Sequence, residues 1–316
     1  MNIDYVSEGF PSPGPVTNGS DSLSVTWDDL LWAAVTVGRP SRYYAFRHGT
    51  SSLYEALFRI SALRITVEQS SPKSWRLRRT PAARSLDPSE KGAVNYFLGL
   101  ALCKLFAEKC LDAPWLLHLD VFRDRLNPGL LSGRSRPDLV GRTRSGEWVG
   151  MESKGRVSPP SAPCKDKAKQ QAERLFSING KQVKYRIGGF AYFKDDVLRF
   201  FWRDPQPDGV EPPNPIRLDI TEDDIWKAYY LPILEIVKAQ PVAASLADDP
   251  IPIKEADLGV RVVPEVMRLL SVEKWKEAGH WCLEHKSELA QQEAHGDGLK
   301  IIAGQSWAKP FEDAFE

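Results

Sequence analysis

Apolar residues recur at helical spacing in residues 26–37 (TWDDLLWAAVTV) and 51–63 (SSLYEALFRISAL), the first opened by Thr26 with Asp28 and Asp29 in its first turn. Asp87-Pro88-Ser89-Glu90 then supplies an N-cap carboxylate, a proline at the first helical position and a glutamate three residues after the cap. A mostly buried helix of about 22 residues is predicted from that point, because the following NYFLGLALCKLFAEKCL is apolar over a broad face. Short apolar or alternating runs at 115–122 (WLLHLDVF), 136–142 (RPDLVGR) and 147–154 (EWVGMESK) read as three strands, the last two joined through a turn at Thr143 to Gly146. A polar-faced helix over Lys165 to Phe176 and two strands at 185–193 and 197–202, around Asp195-Asp196, complete the order helix, three strands, helix, two strands.

Outside this unit the pattern is weaker. Residues 1–21 are rich in Gly, Pro, Ser and Asn and are expected to form a mobile arm. Residues 22–86 form an N-terminal helical region ending in a basic linker over 69–86, with Lys73, Arg76, Arg78, Arg79 and Arg84. The core is assigned to 87–204. Beyond the proline-rich break at 205–215, residues 205–316 are expected to be mostly helical, with GLKIIAG (298–304) as a late strand.

The chain of 316 residues has no apolar run near the roughly 18 residues of a membrane span. Its first residues lack a signal-peptide layout, so a cytoplasmic location is expected. Cys103, Cys110, Cys164 and Cys282 form no CxxC pair, which argues against a disulfide framework or a four-thiolate zinc site. Overall charge balances, but its distribution does not. There are 13 basic against 12 acidic residues in 1–122, 15 against 6 in 123–186, and 14 against 24 in 187–316. A basic stretch of this kind suits a phosphate backbone, while the alternative is a solvated face balanced by acidic surface elsewhere.

The basic stretch contains RPDLVGRTRSGEWVGMESKGR (136–156). Side chains alternate along a strand, so Glu152 and Lys154 share one face and Met151 and Ser153 the other. Antiparallel pairing through the 143–146 turn would carry Asp138 close to Glu152. Two hard oxygen ligands beside a lysine suit Mg²⁺ or Mn²⁺, with phosphate and water as the remaining ligands. His280, Cys282 and His285 have ligand types in close spacing but no second cluster, and are read as an ordinary helix face. His118 and Asp120 lie on one face of the first strand and could reach the site, though a satisfied core histidine is the favoured reading. No GxSxG, Walker A or GxGxxG pattern occurs.

Pro137-Asp138 followed by Glu152-Ser153-Lys154 resembles the signature of the PD-(D/E)xK, or restriction-endonuclease-like, nucleases, over residues 87–202. The resemblance implies an α/β fold: a restriction-endonuclease-like core, its mixed central sheet flanked by helices, with helical additions at both ends. It implies that Asp138 and Glu152 hold a divalent ion, Mg²⁺ or Mn²⁺, and that Lys154 assists the attacking water. Glu90 is the candidate for a further acidic ligand from the preceding helix, and Gln170 or Gln171, with Gln171 preferred, for a glutamine from the following one. Glu90 is also explained by its capping box alone.

The resulting expectation is an endonuclease that cuts DNA, in bacterial restriction or antiphage defence, leaving a 5′-phosphate. Arg134, Arg136, Arg142, Arg144, Arg156, Lys165, Lys167 and Lys169 form the pool of backbone contacts. The acidic C-terminal region is a candidate surface for an activating or regulatory protein, and a homodimer is compatible with cutting two strands. The alternatives are a catalytically silent module of the same fold binding nucleic acid or protein, and a nuclease acting on RNA or branched DNA.

Overall fold

The computed structural model describes residues 1–40, 49–69, 75–126, 135–204, 211–240 and 249–309. Among them lie β1 (Asn2–Glu8), β2 (Gly19–Ser24), β3 (Val67–Gln69), β4 (Leu77–Arg79), β5 (Trp115–His118), β6 (Leu139–Arg142) and β7 (Trp148–Gly155). These are followed by β8 (Leu175–Ile178), β9 (Lys181–Gln182), β10 (Tyr185–Lys194), β11 (Val197–Arg203), β12 (Ile216–Leu218), β13 (Ile251–Ile253), β14 (Leu258–Val262) and β15 (Leu299–Ala303). The helices are α1 (Trp27–Thr36), α2 (Ser51–Thr66), α3 (Pro81–Ser85), α4 (Pro88–Leu111), α5 (Ala162–Glu173), α6 (Glu222–Lys238), α7 (Pro264–Ser271), α8 (Trp275–Glu284) and α9 (Lys286–Gln291).

The molecule is a mixed α/β structure built on a central sheet in the order β2-β1-β11-β10-β7-β6-β5, with β4 attached to β11 and β3 to β4. The sheet is mixed: β7 runs parallel to β10 and β1 parallel to β11, while β5, β6 and β7 form an antiparallel meander. Both α4 and α5 pack on β7 and β10, and α4 also carries α1 and α2. The long helix forms where its caps predict. Asp87 accepts the Ser89 and Glu90 amides, and the Glu90 side chain returns to the Asp87 N–H at 3.0 Å. Its apolar middle is fully buried, with Phe106 stacked on Phe200 at 4.1 Å.

Several expectations change. Residues 1–21 are not an arm: β1 and β2 pair antiparallel, and β1 extends the sheet beside β11 with Ile3 fully buried. The alternation of Ile3, Tyr5 and Ser7 against Asp4, Val6 and Glu8 is a strand pattern, but the Gly- and Pro-rich stretch that follows it hides the signal. The linker, whose residues 70–74 lie outside the described ones, contains β4 and α3, and its Arg79 and Arg84 both pair with Asp196 at 2.7 and 3.0 Å. The first core strand ends at His118 and turns into a 3-10 helix at Leu119–Arg125. The helix expected to reach Phe176 ends at Glu173, and Leu175–Ile178 becomes a strand that pairs with β12.

The C-terminal region has the expected helices, α6 to α9, and the late strand at Leu299–Ala303, but it adds further strands and packs into the rest of the molecule. It has a sheet in the order β13-β14-β15, and α1 packs against β15. Fully buried Asp297 accepts hydrogen bonds from Trp32 Nε1 at 2.9 Å, Tyr229 Oη at 2.5 Å and the Leu299 amide at 3.0 Å. Lys104 lies against the same group, bonded to Tyr229 Oη at 2.6 Å and to the Pro114 carbonyl. This polar knot joins α1, α4, α6 and the C-terminal sheet, so the 204/205 boundary does not separate independent cores. No helix among the described residues is long and apolar enough to cross a membrane.

Candidate active site

The β6–β7 hairpin sets the geometry. Its turn closes through Gly146, at φ +85°, whose amide donates to the Thr143 carbonyl at 3.0 Å. A positive φ is tolerated there because glycine has no Cβ. Leu139 pairs with Met151, and continuing that register by one residue sets Asp138 opposite Glu152. Leu139, Val149 and Met151 are fully buried, so the opposite face of the hairpin carries the charges. The long helix lies tightly on β7 at this point. A Cβ on Gly155 would meet the Asn95 carbonyl oxygen at 1.6 Å, and one on Gly99 would meet Ser153 Oγ at 2.9 Å. Only glycine permits this approach.

Asp138 Oδ2 accepts the Ser153 backbone N–H at 2.9 Å, which ties the carboxylate to β7 between Glu152 and Lys154. The Lys154 ammonium donates to Glu152 Oε1. Glu152 is 1% exposed, and its Oε2 is buried with no hydrogen-bond partner. Burial, reinforced by the negative charge of Asp138, pushes the Glu152 carboxyl up to about 8, against the pull of Lys154. Burial also raises Asp138, opposed by the Ser153 N–H and by Lys154. Burial works against the charge of Lys154, but Glu152 outweighs it and raises the ammonium's pKa.

These residues fit a divalent cation of the Mg²⁺ or Mn²⁺ type. Two carboxylates face each other, one oxygen is buried without a partner, and both groups resist ionising together, a conflict that a cation between them removes. Among the described residues there is no group of three or more His, Cys, Asp or Glu arranged to hold a metal. A cation held by these two carboxylates would take water and a phosphate oxygen as its remaining ligands.

Tyr96, His118, Asp120 and Arg136 form a hydrogen-bonded series next to Asp138, whose carbonyl accepts the Leu119 amide at 2.8 Å. The Tyr96 hydroxyl is 3.3 Å from His118 Nε2, and His118 Nδ1 accepts the Asp120 amide at 3.2 Å. Arg136 Nε donates to Asp120 Oδ1 at 2.6 Å. Burial holds His118 neutral, pushed down to about 4. Burial, then the charge of Asp138, pushes the Tyr96 phenol up to about 12. Tyr96 was not a sequence candidate. Its signal is a polar-tipped aromatic between Asn95 and Gly99, on the turn of the helix that crosses β7.

The other candidates separate clearly. Glu90 is exposed and its carboxylate is held by the Asp87 amide, so it serves the helix cap and is not drawn to Asp138 and Glu152. On α5, Gln171 is buried and Gln170 exposed, because positions 168, 169, 171 and 172 form the face that packs on the sheet. Arg134 lies outside the described residues.

Within the basic pool, three members are structural. Lys169 is buried and bonds Asp204 at 3.0 Å and the Arg186 carbonyl at 2.7 Å. Arg144, 9% exposed, donates to the carbonyls of Cys282 at 2.5 Å and Gly296 at 2.7 Å. Arg142 pairs with Glu222 at 3.0 Å. Lys165 pairs with Glu8 at 3.3 Å and lies 3.6 Å over the Phe201 ring. Arg156 is half-buried, its Nη1 3.7 Å from Cys164 Sγ. Lys167 is exposed on α5.

On α8, Cys282 is buried and His280 lies 3.5 Å from Glu222, while the ring of Trp281 stacks at 4.4 Å on that of His285, the residue that follows the helix. Comparison of the chain with family models, curated proteins and solved structures finds no match.

Proposed function

We propose that this chain is a Mg²⁺- or Mn²⁺-dependent endodeoxyribonuclease with a restriction-endonuclease-like core. The observation that carries the reading is Asp138 set opposite buried Glu152, with Lys154 bonded to Glu152, on a hairpin braced by one helix on each face. A bound divalent ion would polarise the scissile phosphate and acidify water. Asp138 and Glu152 would hold the ion, the Ser153 N–H keeping Asp138 aimed at its partner. Lys154, 40% exposed at its side chain, would present its ammonium to the attacking water and to the charge that develops on the phosphoryl oxygens. Water would attack phosphorus in line, its proton passing to solvent, and the bond to the 3′ oxygen would break, that oxygen taking a proton from solvent to leave a 3′-hydroxyl and a 5′-phosphate. Restriction or antiphage defence in a bacterium is the context proposed, on the sequence resemblance.

The internal pairing of Arg142, Arg144 and Lys169 favours a second reading, a silent module of the same fold that binds a protein partner. Cleavage of supercoiled plasmid in Mg²⁺, Mn²⁺ and EDTA separates the two. A nuclease gives metal-dependent nicking that falls by about 100-fold or more in Asp138→Ala and Lys154→Ala. Wild type and variants equally inert, with no Mg²⁺ or Mn²⁺ binding by calorimetry, would support the silent module. A panel of RNA and branched DNA substrates fixes the target.

A further inference from the structure

The hydrogen-bond chain through Tyr96, His118 and Asp120 has a direction. A backbone amide can only donate, so the 3.2 Å contact from the Asp120 N–H makes His118 Nδ1 an acceptor. The imidazole is buried and neutral, so its proton sits on Nε2, which donates to the Tyr96 oxygen at 3.3 Å. The phenol's own hydrogen then has no protein acceptor among the described residues. The ring is half-buried, and of the neighbouring carboxylates Asp138 acts on it most, followed by Asp120 and Glu152. Geometry places the hydroxyl there as well: His118, which holds it, pairs with Leu139 across β5 and β6, and the next amide, of Leu119, donates to the Asp138 carbonyl at 2.8 Å.

We propose that Tyr96 is a further catalytic residue of this site, donating its hydroxyl hydrogen bond to a non-bridging oxygen of the bound phosphodiester, and that His118 is the positioning residue that orients it. The proposal rests on the nuclease reading. The phenol stays protonated throughout: it stabilises charge developing on the phosphoryl oxygen and transfers no proton. A neutral donor of this kind discriminates in favour of the transition state, where that charge is largest.

The test uses the full chain, its metal and a DNA duplex. Tyr96→Phe removes one oxygen and keeps the ring, so kcat should fall by about 100-fold while KM changes by less than about twofold. His118→Phe should lower kcat in the same way, and His118→Gln, which retains an N–H donor, should recover most of that loss. The chain has five histidines, and the ¹⁵N imidazole signal that disappears in His118→Gln should show the proton on Nε2. An active wild type with Tyr96→Phe unimpaired and Asp138→Ala dead would overturn the proposal and leave the nuclease reading standing. A His118 proton on Nδ1 would overturn it without reference to activity. A wild type inert towards nucleic acid in every metal would bring down the nuclease reading and this proposal together.

Discussion

Arg142, the last residue of β6 in the candidate hairpin, meets Glu222, in the first turn of α6, at 3.0 Å. The contact explains where the uneven charge goes. Glu222 also holds Lys276 at 3.1 Å, and Asp224, in the same first turn, pairs with Arg125. Acidic residues at the start of a helix also suit its positive dipole end. Part of the acidic C-terminal region thus neutralises part of the basic segment inside the molecule.

Nucleic-acid affinity and fold stability should therefore divide the basic pool. Lys167→Glu should weaken DNA binding, with little change in melting temperature, because the side chain is exposed. Arg144→Ala should cost about 1–3 kcal/mol of stability, since the Cys282 and Gly296 carbonyls lose their donors. Filter binding at several salt concentrations, paired with thermal melts, checks both. A Lys167 variant with wild-type affinity would remove that residue from the contact surface.

Asp297→Ala should destabilise strongly, by about 3–5 kcal/mol, because it removes the acceptor of the buried Trp32 N–H and of the Tyr229 hydroxyl and the negative charge that opposes the buried Lys104 ammonium. Asp297→Asn keeps an acceptor oxygen and should lose less. Urea unfolding measures the order. Independent unfolding of a chain cut at residue 248, with a wild-type midpoint, would show the C-terminal sheet to be dispensable.

Deletion of residues 1–24 should remove β1 and β2, uncover β11 and strand the Trp202 indole N–H, which donates to Ser7 Oγ at 2.6 Å. An exposed strand edge invites pairing with other chains. The deleted chain should be less stable and prone to association in light scattering, whereas a monodisperse product with the wild-type melting temperature would contradict the placement of β1.

Lys104 makes a pH prediction. Burial depresses its pKa from 10.5 to about 8 in the folded protein. Between those values the unfolded chain binds more protons than the folded one, so this group's contribution to stability rises with pH across about 8 to 10.5. Cys103, Cys110 and Cys282, raised from 9.0 to about 12, act in the opposite sense above pH 9. The stability difference between wild type and Lys104→Met isolates the lysine, and should move in favour of wild type by on the order of 2 kcal/mol from pH 8 to 10. Denaturant melts at fixed pH values give the difference, and a flat one would mean that Lys104 is not titrating there.

Taken alone, the sequence determined what depends on neighbours in the chain. The capping boxes at Thr26 and Asp87 bond within three residues, and the 143–146 turn fixes a hairpin whose alternation puts Glu152 and Lys154 on one face. Local signals are strong there because few residues need to be ordered for each bond made. The tertiary structure decided what depends on distant partners. The alternation in Asn2–Glu8 acquires meaning only beside β11, and Glu90 carries the same letter whether it caps a helix or binds a metal. Charge is the extreme case: the attraction that holds Arg142 and Lys169 comes from Glu222 and Asp204, which no local pattern connects to them. Tyr96 joins the site because two glycines let one helix close on one strand, and their spacing in sequence does not say which strand that is.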